Sequence, residues 1–340
     1  VSDVRRFIAA LGVDEADLDV AEANGTLLAL AAERFLLPGE RTLTAREVAS
    51  EVGITLDELN KLWLALGFPQ PLPDEKALST GDVKVLETLF ADGTTVSDYT
   101  LHEARVISAS LTRIAEVFTD EMWDKNFSAG ETQTQALGQI GTSIDVDRIE
   151  WLLLHLLRAQ IVAAIYRRSA LHDRAQREGQ PSLAIGFADI AGYTTMSQSL
   201  DARELTRLVV SFEQRTYDLA AKMGGRVVKT IGDEVMFVFE EPGIAATFAL
   251  ELGAQPSRDQ PALRVGLGWG PVLVRQGDCF GPTVNLASRV VNVASAGEVV
   301  VEGRMRAQLA TVGFETTAMG SSELKGFGNV ELWRLETQRR

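Results

Sequence analysis

Residues 181–194 read Pro181-Ser-Leu-Ala-Ile-Gly-Phe-Ala-Asp189-Ile-Ala-Gly192-Tyr-Thr194. Ser182 to Ala188 is a short apolar run with the character of a buried strand, and a carboxylate stands at its end. A glycine-containing turn and a helix start follow. Backbone N–H groups at such a turn, at Gly192, Tyr193 and Thr194, can hold phosphate oxygens, and Asp189 is placed to hold a divalent metal. Outward toward the C-terminus, 201–223 has the period of an amphipathic helix. Gly225 to Glu240 reads as two strands joined by a tight turn at Ile231-Gly232, and 243–253 is again helical. Leu263 to Val274 is strand-like, 283–295 helical and Glu298 to Val301 a strand, with short strands around glycine turns over 313–335. Alternating strands and helices with inserted hairpins predict a ferredoxin-like βαββαβ core.

Outward toward the N-terminus the pattern changes. Residues 1–145 read as short helices with polar breaks and no strand-rich stretch. Leu27 to Leu37 is a helical run closed by Pro38-Gly39, and Thr44 with Glu47 has the spacing of a capping box. A turn at Val52-Gly53 leads into a second helix reaching about Leu66, and Thr80 opens another. Ile149 to Arg168 is the most apolar segment. Glu150, His155, Arg158 and Gln160 interrupt it, which favours a buried or dimer-packing helix over a membrane span of about 20 apolar residues. Asp173 to Pro181 is polar, ends on Gly and Pro, and reads as a linker. The fold class is therefore α+β: an all-helical N-terminal domain over 1–148, a linker or dimer helix over 149–180 and a ferredoxin-like domain over 181–340.

The chain has 340 residues, 46% hydrophobic and 24% charged, enough for two domains. Its net charge of −14 is uneven, with 17 basic and 29 acidic residues in 1–180 against 16 and 18 in 181–340. One cysteine, Cys279, excludes an internal disulfide framework and any multi-cysteine zinc site. The three histidines, His102, His155 and His172, lack paired metal-ligand spacing. No signal-peptide run opens the chain, although a start on Val is compatible with a trimmed leader, and the expected location is the cytoplasm. Residues 43–90 resemble the helix-turn-helix of MerR-type regulators. Five basic and eight acidic residues in 41–90, with Asp57 and Glu58 where a recognition helix would approach DNA, weigh against nucleic-acid binding.

Two further segments carry chemistry. Lys229-Thr-Ile-Gly232-Asp233 puts a second carboxylate at a hairpin tip, where Asp189 and Asp233 can converge on two metal ions. Turn aspartates alone often only cap; the pair, each in a glycine turn, is the informative pattern. Gly277-Asp278-Cys-Phe-Gly281-Pro-Thr-Val-Asn285-Leu-Ala-Ser-Arg289 places an amide and a guanidinium four residues apart on one helix face. The structural alternative is an Asn cap and a surface ion pair.

In this order and spacing the three segments resemble the catalytic domain of class III nucleotidyl cyclases over about residues 181–335. The layout is similar to actinobacterial adenylyl cyclases with an N-terminal autoinhibitory domain. The resemblance implies that Asp189, Asp233 and the Ile190 carbonyl hold two Mg²⁺ or Mn²⁺ ions, and that Lys229 and Asp278 read adenine in ATP. It implies further that Asn285 orients the ribose and Arg289 neutralises charge on the phosphates. In guanylyl cyclases the purine positions tend to be Glu and Cys. Counting back from Gly281 puts Asp278 there and leaves Cys279 facing the other way. The family builds its site across a head-to-tail homodimer, so Lys229 and Asp233 would serve different sites. Guanylyl or diguanylate cyclase activity remains an alternative, since Ile231-Gly-Asp-Glu-Val235 loosely resembles the GGDEF signature. So does a MerR-like regulator with a non-catalytic effector domain.

Overall fold

The computed structural model describes residues 2–10, 12–37, 41–90, 95–127, 146–178, 181–254 and 261–336. The chain divides into two compact units, Val1–Ala159 and Gln160–Arg340.

The N-terminal unit is built from α1 (Ser2–Ala10), α2 (Glu15–Asn24), α3 (Leu27–Leu36), α4 (Ala45–Val52), α5 (Leu56–Ala65), α6 (Thr80–Phe90) and α7 (Asp98–Phe127). Its helix starts follow from sequence. Thr44 and Glu47 form a complete capping box at α4, and Thr55 and Glu58 form a second at α5, so the acidic pair at 57–58 serves the helix start. Ile8, Val13, Leu18 and Ala31 make one small core. Val48, Leu59, Leu62, Leu78, Leu86 and Leu101 anchor another. Two expectations are corrected. The region is not wholly helical, because β1 (Leu43–Thr44) pairs with β2 (Lys76–Leu78) in an antiparallel ladder. Nor are its helices all short, since α7 runs for 30 residues. The expected helix stop at Pro38-Gly39 lies outside the described residues.

Helix α8 (Val146–Glu178) is continuous for 33 residues. It extends through most of the polar segment read as a linker, because Asp173-Arg-Ala-Gln-Arg-Glu178 contains no helix breaker before Gly179. Near its C-terminal end Leu171 packs against the Leu183–Val284 core, but the apolar run at 151–166 is largely exposed. Trp151, Leu154, Leu157, Ile161 and Ile165 are all exposed, and His155 stacks on Trp151 with ring centroids 5.3 Å apart. Over 147–172 it is the one helix among the described residues long and apolar enough to cross a membrane.

The C-terminal unit holds β3 (Ser182–Ile190), α9 (Tyr193–Ser197), α10 (Ala202–Lys222), β4 (Arg226–Ile231), β5 (Glu234–Phe239), α11 (Pro242–Gly253) and β6 (Leu263–Pro271). It continues with β7 (Leu273–Arg275), β8 (Asp278–Phe280), α12 (Pro282–Val290), β9 (Val299–Glu302), α13 (Gly303–Thr311), β10 (Thr316–Leu324) and β11 (Gly328–Leu335). Seven strands form one sheet in the order β10-β11-β9-β6-β3-β5-β4, antiparallel except for β6 with β9. Its β6-β3-β5-β4 portion, with α10 and α11 as crossovers, is the expected βαββαβ core.

Both faces of the sheet are covered, which is why β3 reads as an unbroken apolar run instead of alternating. Phe212, Leu219, Phe248 and Leu252 of α10 and α11 pack with Ala184, Ala188, Phe237 and Val265 on one face. Leu183, Ile185, Phe187 and Met236 meet Val284, Ala287 and Val291 on the other. The second face depends on glycines in β6. A Cβ on Gly266 would run into the Val291 backbone, and one on Gly268 would lie 3.4 Å from Ala287 Cβ. Without those side chains α12 can lie close against the sheet.

Candidate active site

Asp189 is the penultimate residue of β3 and only 7% exposed. It sits between two strands, directly opposite Glu234 on β5 and Arg264 on β6. Directly opposed residues project to one face, so three charged side chains form a row across the sheet end. Arg264 Nη2 donates to Asp189 Oδ2. The turn at Gly232-Asp233 brings the second carboxylate alongside, where the Ile190 N–H donates to the Asp233 carbonyl at 3.2 Å. Gly232 takes φ +64, which makes glycine the natural residue for that corner.

The electrostatics are those of crowded anions. Burial, followed by the Asp233 carboxyl, pushes the Asp189 pKa up to about 6 despite the opposing Arg264 guanidinium. Burial and then Asp189 and Asp233 push Glu234 up to about 7, with Arg264 and Arg289 pulling the other way. Among the described residues no three His, Cys, Asp or Glu side chains are grouped as a metal cage. The side chains here that could hold a metal are those of Asp189 and Asp233. Hard carboxylate oxygens at the end of β3 and on the neighbouring Gly232-Asp233 turn fit Mg²⁺ or Mn²⁺, and like charges this close favour a cation between them.

Gly192 caps α9 with φ +76, and the first turn leaves the N–H groups of Tyr193 and Thr194 without intrahelical acceptors. On the other side of the hairpin, Lys229 Nζ donates to Asp278 Oδ2 at 2.6 Å, both side chains being about one-third exposed. Asp278 Oδ1 accepts from the Cys279 N–H at 2.7 Å. The Cys279 side chain points away into the Leu183–Val284 core, and burial pushes its thiol pKa up. Asn285 and Arg289 lie exposed, one turn apart, on α12. Gly281 is the N-cap, so Asn285 is not spent on capping.

Two charged residues of this site were not among those read from sequence. Arg264 and Glu234 acquire meaning only through strand register, because Asp189 and Arg264 are 75 residues apart in sequence. An arginine opening the Leu263 strand was the available signal.

A family profile described as the adenylate and guanylate cyclase catalytic domain matches residues 175–337, and one described as the adenylate cyclase regulatory domain matches residues 3–153. An adenylate cyclase of Glutamicibacter nicotianae is 32% identical over 89% of this chain and 81% of its own length. One of Streptomyces coelicolor is 33% identical over 84% and 76%. The chain belongs to the class III adenylate cyclases. Another relative of this cyclase, named a pH-sensitive adenylate cyclase, comes from Mycobacterium tuberculosis and is 28% identical over 90% of the chain and 81% of its own. Among solved structures, the adenylyl cyclase CyaB from P. aeruginosa is 24% identical over 47% of this chain and 96% of its own, with a TM-score of 0.42.

Proposed function

We propose that the cyclase converts ATP to 3′,5′-cyclic AMP and pyrophosphate at sites shared between two copies of the chain. The observation that carries this reading is the pairing of two unlike sites on one hairpin. Asp233 at its tip lies beside Asp189 of β3, and Lys229 on its flank pairs with Asp278 of β8. Asp189, Asp233 and the Ile190 carbonyl would hold two divalent cations, which when bound lower the pKa of the ribose 3′ hydroxyl and offset charge on the phosphates. Arg264 supplies the positive charge at Asp189 in the structure, so metal loading competes with this ion pair. The N–H groups of Gly192, Tyr193 and Thr194 receive phosphate oxygens at the start of α9.

Lys229 and Asp278 set a donor beside an acceptor. Adenine offers the complementary N1 acceptor and N6 donor, whereas guanine offers the opposite polarity, which favours ATP over GTP. The 3′ oxygen attacks the α-phosphorus in line, the P–O bond to pyrophosphate breaks, and the hydroxyl proton passes to solvent water. No protein nucleophile is needed. Asn285 orients the ribose and Arg289 neutralises charge that develops on the phosphate oxygens, so Arg289→Ala should lower kcat more than it raises KM.

Sharing of the site is supported by the exposed apolar stripe of α8, which a second copy would cover, and by the exposure of Asn285 and Arg289. Glu150, His155 and Arg158 within that helix disfavour insertion in a bilayer. Residues 1–148 are read as the regulatory domain, 149–180 as the connecting and dimerising segment, and 181–340 as the catalytic domain. The deciding experiment measures ATP and GTP turnover by full-length protein with Mn²⁺ and with Mg²⁺, beside Asp233→Ala. Cyclic AMP from ATP, lost in the variant, is expected. Product from GTP alone, or undiminished turnover by the variant, would refute the assignment.

A further inference from the structure

Strand β4 grips the β7–β8 hairpin at two points. One is the Lys229–Asp278 ion pair. The other lies three residues earlier on the same strand, where Arg226 Nη1 donates to the Gly277 carbonyl at 2.7 Å. Gln276 and Gly277 form the two-residue turn between paired Arg275 and Asp278, with φ of +51 and +80. That left-handed pair suits a tight hairpin, yet Gln276 is the only non-glycine residue at positive φ among those described. The Arg226 hydrogen bond adds a contact from outside the hairpin to this turn. The Gly277 carbonyl belongs to the peptide that leads into Asp278, so the Arg226 hydrogen bond fixes the backbone immediately before the carboxylate. Burial of Cys279 fixes it immediately after. The Arg226 guanidinium also flanks that thiol.

We infer that Arg226 is a positioning residue for nucleobase selection, holding the Gly277–Asp278 peptide so that Asp278 presents its acceptor beside Lys229 in the orientation adenine requires. The inference rests on the reading of Lys229 and Asp278 as the purine pair. Rejection of guanine depends on a carboxylate held facing the O6 acceptor that cannot turn to accept from N1–H. Once its backbone loosens, the carboxylate can rotate, the mismatch with GTP relaxes and the fit to ATP worsens. Arg226 reaches neither base nor phosphate in this role, so the chemical step is left alone.

The test is kcat and KM for ATP and GTP in the full-length protein carrying Arg226→Met, Arg226→Lys and, separately, Asp278→Ala. For Arg226→Met we expect KM for ATP to rise about five- to tenfold with kcat within about twofold, and ATP-over-GTP preference to fall about tenfold. Arg226→Lys, which restores a donor on a similar stem, should recover part of the preference. An unchanged preference in a folded Arg226→Met protein, or parallel losses for both nucleotides, would show that Arg226 only stabilises the hairpin. Should the Met variant not fold, Arg226→Gln is judged by the same ratio. Asp278→Ala separates the two layers. If it keeps the wild-type preference, the purine reading itself fails. If it loses the preference while Arg226→Met retains it, only the present inference fails.

Discussion

Glu234 and Asp189 face each other across β5 and β3 beside Asp233, Asp189 buried and Glu234 half-buried. Their raised pKa values couple stability to pH. The unfolded chain releases the Glu234 proton near the ordinary value of 4.5, while the folded chain keeps it up to about 7. Between those values the folded state binds more protons, so stability is fully present below 4.5 and falls as pH rises toward 7. Asp189 acts in the same direction between 3.8 and about 6. Thermal melts of metal-free protein should therefore decline more steeply over pH 4.5–7 for wild type than for Glu234→Gln. Equal slopes would mean that Glu234 is already ionised in the folded chain. At this scale the sequence was readable where chemistry is local. Asp189 and Asp233 stand beside glycines in turns, and Lys229 and Asp278 sit on strands near them. Glu234 and Arg264 were not readable as site residues, because only strand register, across 75 residues for Arg264, sets them beside Asp189.

The decisive element is β6 with the helix it supports. Arg264, Gly266 and Gly268 line one face in alternation with Val265 and Leu267 on the other, so one strand serves the site, the helix seat and the opposite core. Gly266→Ala would drive a methyl group into the Val291 backbone and lift α12, which carries Asn285 and Arg289. We expect a loss of about 2 kcal/mol in denaturant melts together with lowered kcat. Gly268→Ala, with ordinary room to Ala287, should cost less in both measurements; equal effects would argue against a seat specific to Gly266. The alternating glycines are visible in the sequence. That they mark a helix seat is not, because the helix arrives from the next segment of the fold. The β1–β2 ladder escaped notice for a similar reason: strands of two and three residues carry no periodicity, and their pairing joins Leu43 to Leu78.

For the whole molecule, the central prediction concerns sharing. Asp189→Ala and Asn285→Ala should each be inactive alone. Mixed under exchange, random pairing gives half heterodimers with one intact site in two, hence about a quarter of wild-type turnover. No recovery, with heterodimers demonstrated, would place all the machinery within one chain. The exposed α8 stripe makes a second prediction. A Leu157→Glu, Ile161→Glu double variant should shift the protein toward monomer in sedimentation and lose turnover with it; a variant that stays dimeric would assign the interface elsewhere. Regulation is tested by comparing full-length protein with residues 181–340, where equal specific activity would remove the N-terminal domain from control.

The sequence by itself determined the strand–turn–carboxylate units, the change from helical to alternating architecture near residue 180 and the helix start at Thr44. These are set by contacts within a few residues, where spacing and side-chain chemistry suffice. Only the tertiary structure decided that Arg264 binds Asp189, that Glu234 completes the charged row, that Arg226 holds the turn before Asp278 and that α8 runs on to Glu178 with its apolar stripe uncovered. Those facts depend on strand register and on what does or does not pack against a surface, and residues tens of positions apart set both.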